Sequence, residues 1–211
     1  MIELPCFYSL SSPWAYFMGP QLEDIVRRHK VRLVLKPFDF QEIVPRTGGV
    51  PLRTRPPARR SYHEEELDRW RRYLQMPLAL KPRYYPEKVT DADWNKRPGW
   101  MVIAAQLRGL DAFHLSHALL RALWAEERDT AAADVRIAIA DENGLDGRAL
   151  HAAEASAEVQ AAYRTYTQEA EALQVFGAPT FVVEGVRYWG QDRLGFVDRA
   201  LEALRARQGR E

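Results

Sequence analysis

The stretch "PTFVVEGVRYWG", residues 179–190, decides how this chain folds. Thr180–Val183 and Val186–Trp189 are short β-branched and aromatic runs around Glu184-Gly185, the pattern of a β-hairpin closed by a tight turn. Ahead of it lies a long block with helical signals only. It runs from Trp100 to Leu173 and includes "SHALLRALWAEE", "AADVRIAIADENG" and "AAYRTYTQEAEAL". Behind it an amphipathic helix is predicted over Leu194–Leu204.

The other strand signals are at the start of the chain. Glu3–Leu10 reads as a short buried strand, Pro13–Lys30 as a helix, and "VRLVLKPFDF" (Val31–Phe40) as a second strand. A strand–helix–strand order of this length implies a parallel pair with a crossover helix. The middle differs in character. Gln41–Arg60 is rich in Gly, Pro and Arg and reads as a long loop. "YHEEELDRWRRYLQMP" is helical until Pro77, and Lys81–Pro98 is again loop-like. The βαβ start and the ββα end are each too small to stand alone. Joined, they make one four-stranded sheet, with the helical block inserted between them. The expected architecture is α/β: residues 1–42 and 174–211 form the sheet domain, and 43–173 form an inserted helical domain.

Bulk properties exclude several classes of function. The 211 residues are 46% hydrophobic and 28% charged, and 30 Lys+Arg against 29 Asp+Glu leave a net charge of +1. That balance gives no general attraction to nucleic acid or to an acidic membrane surface. The arginine run from Arg53 to Arg60 is followed directly by "HEEELD", which cancels its charge, so no nucleic-acid partner is expected. Cys6 is the single cysteine, ruling out disulfides within the chain, Cys-pair redox chemistry and a cysteine-rich zinc site. It lies in an apolar run and reads as a core residue. No run of about 18 apolar residues exists, so no membrane span is expected. "MIELPCFYSL" has an acid where a secretory leader has basic residues, and a cytoplasmic location is expected.

Chemistry is expected where "FYSLSSPWAY" (Phe7–Tyr16) leaves the first strand. Ser12 before Pro13 is a helix start, with the serine as N-cap and proline at the first helical position. Capping alone accounts for these residues; whether Ser12 does more depends on what faces it. His114 and His117 have a metal-compatible spacing on a helix, but no third ligand of matching spacing accompanies them, and no metal is expected. "DENGLDG" (Asp141–Gly147) departs from a calcium loop because Ala152 occupies its twelfth position; it reads as a helix end and turn. Trp70, Tyr73, Trp100 and Trp124 read mainly as core, with one or two available to line an aromatic pocket.

The βαβ…ββα order, "SPWA" at the first helix and "GAPT" before the hairpin together resemble the thioredoxin-like fold. In its oxidoreductases a Cys-x-x-Cys motif opens the first helix and faces a cis-proline. Here Ser12 and Ala15 occupy the cysteine positions, so a dithiol cycle is not expected. Over nearly the whole chain the sequence is similar to the glutathione-dependent 2-hydroxychromene-2-carboxylate isomerases, relatives of the kappa-class glutathione transferases and the DsbA-like oxidoreductases. The resemblance rests on "SPWAY", on "PPARRSY" leading into "DRWRRYLQMP", and above all on "VFGAPTFVVEGVRYWGQDRLGFV".

The resemblance implies glutathione as cofactor, a small aromatic carboxylate as substrate, and a homodimer. It makes Ser12 the catalytic hydroxyl beside the glutathione sulfur. Ala178 would pair with the cysteinyl backbone and Pro179 would hold the turn in the cis form. Asp192, with Gln191 and Arg193, would face the γ-glutamyl end. A cation among Arg53, Arg55, Arg59 and Arg60 would hold the glycine carboxylate, with Arg59 first because it follows the matching "PPA". Ser9 stands where that family often has aspartate, and Gly49 and Lys88 stand near expected asparagines. The expected activity is glutathione-dependent cis–trans isomerisation of an aromatic oxo-acid in aromatic-compound catabolism. The alternatives are a kappa-like transferase and a non-redox peptide-binding module of the same fold.

Overall fold

The structure is a computed structural model that describes residues 1–50, 52–85 and 90–208, the side chain of Arg53 excepted. Its centre is a four-stranded sheet of order β2-β1-β3-β4. Strand β1 (Glu3–Tyr8) runs parallel to β2 (Arg32–Pro37), in register from Glu3↔Arg32 to Tyr8↔Pro37. On its other side β1 pairs antiparallel with β3 (Thr180–Val183) through Cys6↔Phe181 and Phe7↔Thr180. The predicted hairpin closes the sheet: β3 pairs with β4 (Val186–Trp189), and Gly185 takes the positive φ of +78° that the turn requires. The mixed α/β, thioredoxin-like architecture is the one expected.

The crossover helix departs from expectation. Instead of one helix over Pro13–Lys30 there are two, α1 (Pro13–Phe17) and α2 (Gly19–His29), broken at Met18. A local signal and a contact with a distant residue meet at this point. Pro20 supplies no N–H to the preceding turn and crowds the carbonyl four residues back. Gly19 lies so close to His117 that a Cβ there would sit 2.3 Å from its Nδ1.

The expected loop over Gln41–Arg60 is also corrected. It contains α3 (Phe40–Arg46), started by Asp39, whose Oδ1 accepts the Glu42 N–H at 3.1 Å. Helix α4 (Pro57–Tyr73) begins before Arg60, with proline in its first turn, and stops short of Pro77. Five further helices fill the predicted helical block: α5 (Arg97–Leu107), α6 (Ala112–Trp124), α7 (Ala133–Glu142), α8 (Gly147–Glu154) and α9 (Ala157–Ala172). The last helix, α10 (Leu194–Gln208), outlasts its predicted end at Leu204.

Helix α5 joins the helices to the sheet. It is buried from Met101 to Ala105, and at Gly99 a Cβ would come within 2.9 Å of Pro37 on β2. Because β2 is an edge strand, its outward backbone groups need partners. The Gln106 amide supplies them at Leu35, accepting its N–H at 2.8 Å and donating to its carbonyl at 3.0 Å. One continuous apolar cluster runs from β1 and β3 through α5 and α6 to α7 and α8. Arg136 on α7 lies inside it, 1% exposed, and is held by Glu154 of α8.

Candidate active site

A cleft of about 680 Å³ opens where the β1–α1 turn meets the loop before β3. Its walls come from α3 and the turn after it, from one face of α4, and from residues 176–178 and 189–193.

Ser12 is at the inner end. Its backbone is extended (φ −86°, ψ 121°), and its Oγ accepts the Ala15 N–H at 3.3 Å, so the capping role is real. The same hydroxyl donates to the Ala178 carbonyl at 3.4 Å, across the cleft floor. Ser12 is thus both a cap and the residue facing the proline loop. Behind it, Ser9 and Ser11 share a hydrogen bond of 2.9 Å, and Asn95 Nδ2 donates to Ser11 Oγ at 3.4 Å.

The opposing loop is fixed from both sides. The Ala178–Pro179 bond is cis, as expected. Thr180 Oγ1 donates to the Gly177 carbonyl at 2.8 Å, and the Gly190 N–H reaches the Pro179 carbonyl at 2.9 Å. Gly190 has a φ of +105°, and a Cβ there would lie 2.3 Å from Asp192 Oδ1. Glycine at 190 therefore makes room for the Asp192 carboxylate. That carboxylate is 40% exposed and pairs with Arg193 at 2.7 Å. Gln191 is buried at 3% exposure, and all three of Gln191, Asp192 and Arg193 line the cleft.

Of the candidate cations, Arg55 and Arg59 line the cleft, whereas Arg60 is exposed and does not border it. Arg55 is half-buried and donates from Nε to the Val50 carbonyl at 2.9 Å. Burial first, then the like charge of Arg59, holds its pKa below the usual guanidinium range. Two cations in one cleft wall make a site suited to an anion. Gly49, which stands near the place of an expected asparagine, has no room for a side chain: a Cβ would stand 2.2 Å from Val44 Cγ1. Lys88 lies outside the described residues.

The sequence left the aromatic wall largely undetermined. Trp70 borders the cleft; Trp124 is core, Tyr73 is exposed, and Trp100 packs on Tyr163 elsewhere. Trp14, Tyr62, Tyr85 and the Phe176–Trp189 pair, with centroids 4.8 Å apart, complete the wall. His63 was missed altogether. It is buried at 8% exposure, meets Trp14 edge-on with centroids 5.4 Å apart, and lines the cleft. Ala58, Tyr62, Glu66 and Trp70 recur every four residues, with Arg59 and His63 beside them, so one face of α4 bears them all. That spacing was the available signal.

Other candidates lie apart. His117 stacks on Tyr16 with centroids 5.4 Å apart, while His114 bonds Asp111 at 2.7 Å and Glu23 at 3.3 Å, so the two rings serve different contacts. Cys6 is fully buried in the sheet, where desolvation pushes its thiol pKa far up, and it does not border the cleft. His29, Asp198 and Glu202 gather on α2 and α10; Arg28 also reaches Asp198 at 2.9 Å, making this an ion-pair tie between helices.

Comparisons with known proteins agree with this architecture. A 2-hydroxychromene-2-carboxylate isomerase from Sphingobium xenophagum is 27% identical over 197 residues, covering 92% of this chain and 95% of that protein. The structure of an HCCA isomerase superposes with a TM-score of 0.78 at 20% identity, covering 99% of this chain and 98% of that one. The cytosolic disulfide reductase DsbM from Pseudomonas aeruginosa, solved with GSH, gives a TM-score of 0.66 at 19% identity, covering 98% and 99%. A family model described as a DSBA-like thioredoxin domain matches residues 3–202, and the chain belongs to that family.

Proposed function

We propose that this chain is a glutathione-dependent isomerase that interconverts the cis and trans forms of an aromatic oxo-acid of the 2-hydroxychromene-2-carboxylate type. One observation carries the reading: the Ser12 hydroxyl lies 3.4 Å from the Ala178 carbonyl at the floor of a cleft with no protein thiol on its walls. The curated isomerase relative supports the reaction class.

The residues present fit glutathione. The space that glycine at 190 leaves for Asp192 puts a carboxylate where an ammonium group can meet it. Arg59 on α4 offers a guanidinium to a carboxylate, and Ala178 offers backbone to a peptide-like ligand while the cis Pro179 holds that turn. Arg193 pairs with Asp192 at 2.7 Å, and Gln191 lines the cleft beside them. Glutathione, when bound, supplies a thiol whose reversible addition to a conjugated double bond makes that bond free to rotate.

The chain's own residues prepare the site for that chemistry. The Ser12 hydroxyl gives its one proton to the Ala178 carbonyl at 3.4 Å, and by turning that proton toward the cleft it can stabilise negative charge there. Pro13 has no N–H, and Ser12 Oγ takes that of Ala15, so the first-turn donor outside the helix's own ladder is that of Trp14. The aromatic walls suit a flat ring.

Calorimetry with reduced glutathione tests the reading first, and product analysis second. An isomerase leaves the concentration of free glutathione unchanged during turnover, whereas a transferase consumes it. No binding of reduced glutathione to the folded protein would overturn the proposal.

A further inference from the structure

We propose that His63 is a substrate-contacting residue: with Arg55 it forms a polar corner on the α4 side of the cleft that takes the oxo-carboxylate end of the aromatic acid. This rests on the function proposed above and assigns residues to the substrate's half of the site.

Three observations converge. First, His63 is buried yet lines the cleft, packed edge-on against Trp14, two residues beyond Ser12. Among the described residues its Nε2 finds no hydrogen-bond partner. A buried ring nitrogen without a partner destabilises the fold, and leucine or phenylalanine would fill the same wall without that cost. Second, the Arg55 charge acts on His63, and burial with that charge pushes the imidazole pKa down to about 4. The ring is therefore neutral at physiological pH and interacts through a hydrogen bond rather than as a cation. Third, Arg55 is half-buried and faces Arg59, a like charge, so an anion in the cleft relieves both.

A ligand that satisfies both groups carries an oxygen able to hydrogen-bond and, beside it, a negative charge. A 2-oxo acid has that pattern. Its ring then lies against Trp14, Trp70 and Tyr85. A pocket that holds a ligand oxygen by a hydrogen bond discriminates against the analogue lacking it, because the protein group is left unpaired.

The experiment needs no turnover and no glutathione. Binding of 4-phenyl-2-oxobutanoate and of 4-phenylbutanoate is measured by calorimetry on the wild type, His63→Leu, His63→Gln and Arg55→Gln, each checked by thermal melting. The wild type is expected to prefer the oxo acid by about 10-fold, the scale of one hydrogen bond. His63→Leu should erase that preference while keeping its affinity for 4-phenylbutanoate. His63→Gln should restore part of the preference, and Arg55→Gln should weaken both acids together. A merely structural role for His63 would weaken both acids equally, leave the preference intact, and overturn the assignment. Binding of both acids without preference by the wild type also overturns it, with the cleft's function untouched. Binding of neither acid overturns the reading of the cleft itself.

Discussion

Removing the carboxylate of Glu154 should destabilise the protein more than any change at its surface. The Arg136 guanidinium is 1% exposed and makes four hydrogen bonds: Nε and Nη2 to Glu154 at 2.9 and 2.7 Å, Nη1 to the Thr130 and Ala131 carbonyls at 3.1 and 2.7 Å. Glu154→Gln leaves both carbonyl bonds and removes the compensating charge, stranding a cation in the core. Breaking a buried pair from one side costs about 3–5 kcal/mol, against a total stability of about 5–15 kcal/mol. For a chain of this size that corresponds to a melting point lower by roughly 6–20 °C. Replacing both partners with apolar residues of similar volume, Arg136→Met with Glu154→Leu, should recover most of the loss, because no charge is then buried. Urea unfolding followed by circular dichroism measures Glu154→Gln, the double variant and its two single variants. A cost below about 1 kcal/mol for Glu154→Gln, or a double variant as unstable as the sum of the single ones, would refute the coupling.

Ser12→Ala should lower stability by only about 1 kcal/mol, the worth of the cap to Ala15, while cutting isomerase turnover by roughly 10²-fold; unchanged turnover in the folded variant leaves Ser12 a cap only. Gly190→Ala places a Cβ at a φ of +105° and against Asp192, so it should cost about 1–3 kcal/mol and weaken glutathione binding, read by melting and calorimetry. Protonation of His63 gives a pH signature. Its folded pKa of about 4 lies below the unfolded 6.5, so the unfolded chain takes up the proton first. Its contribution is therefore full above pH 6.5 and falls as pH drops toward 4, by at most about 3 kcal/mol. Denaturation of wild type and His63→Phe across that window should show the variant's stability curve flatter by that amount.

Local chemistry made the sheet legible. The hairpin declares itself by Glu184-Gly185, and β1 and β2 by apolar runs that a central and an edge strand require. Ser12, Ala178, Asp192 and Arg59 were singled out by the family resemblance, and the fold places all four on the cleft wall. Part of what escaped depended on packing between distant segments. The close approach of His117 to Gly19 beside the break joins segments far apart in the chain, whereas α3 was hidden locally because Pro45 and the glycines after it read as loop. The proline at 57 was mistaken for loop although it starts α4. His63 gave no sign because one histidine among glutamates looks like a solvated helix face; only the fold puts Trp14 against it.

Cys6 completes the chemistry of the cleft by its position. Enclosed in β1 with Met18 sulfur 3.9 Å away, its thiol resists ionisation and is shut off from solvent. Alkylating agents and peroxide, which attack thiolates, therefore find no target on the folded chain's cysteine. A dithiol enzyme of the same fold carries its vulnerable sulfur on its own cysteine side chain and must be repaired when that sulfur is over-oxidised. Here every reactive sulfur in the cleft would be on loan, and a damaged one leaves by simple dissociation.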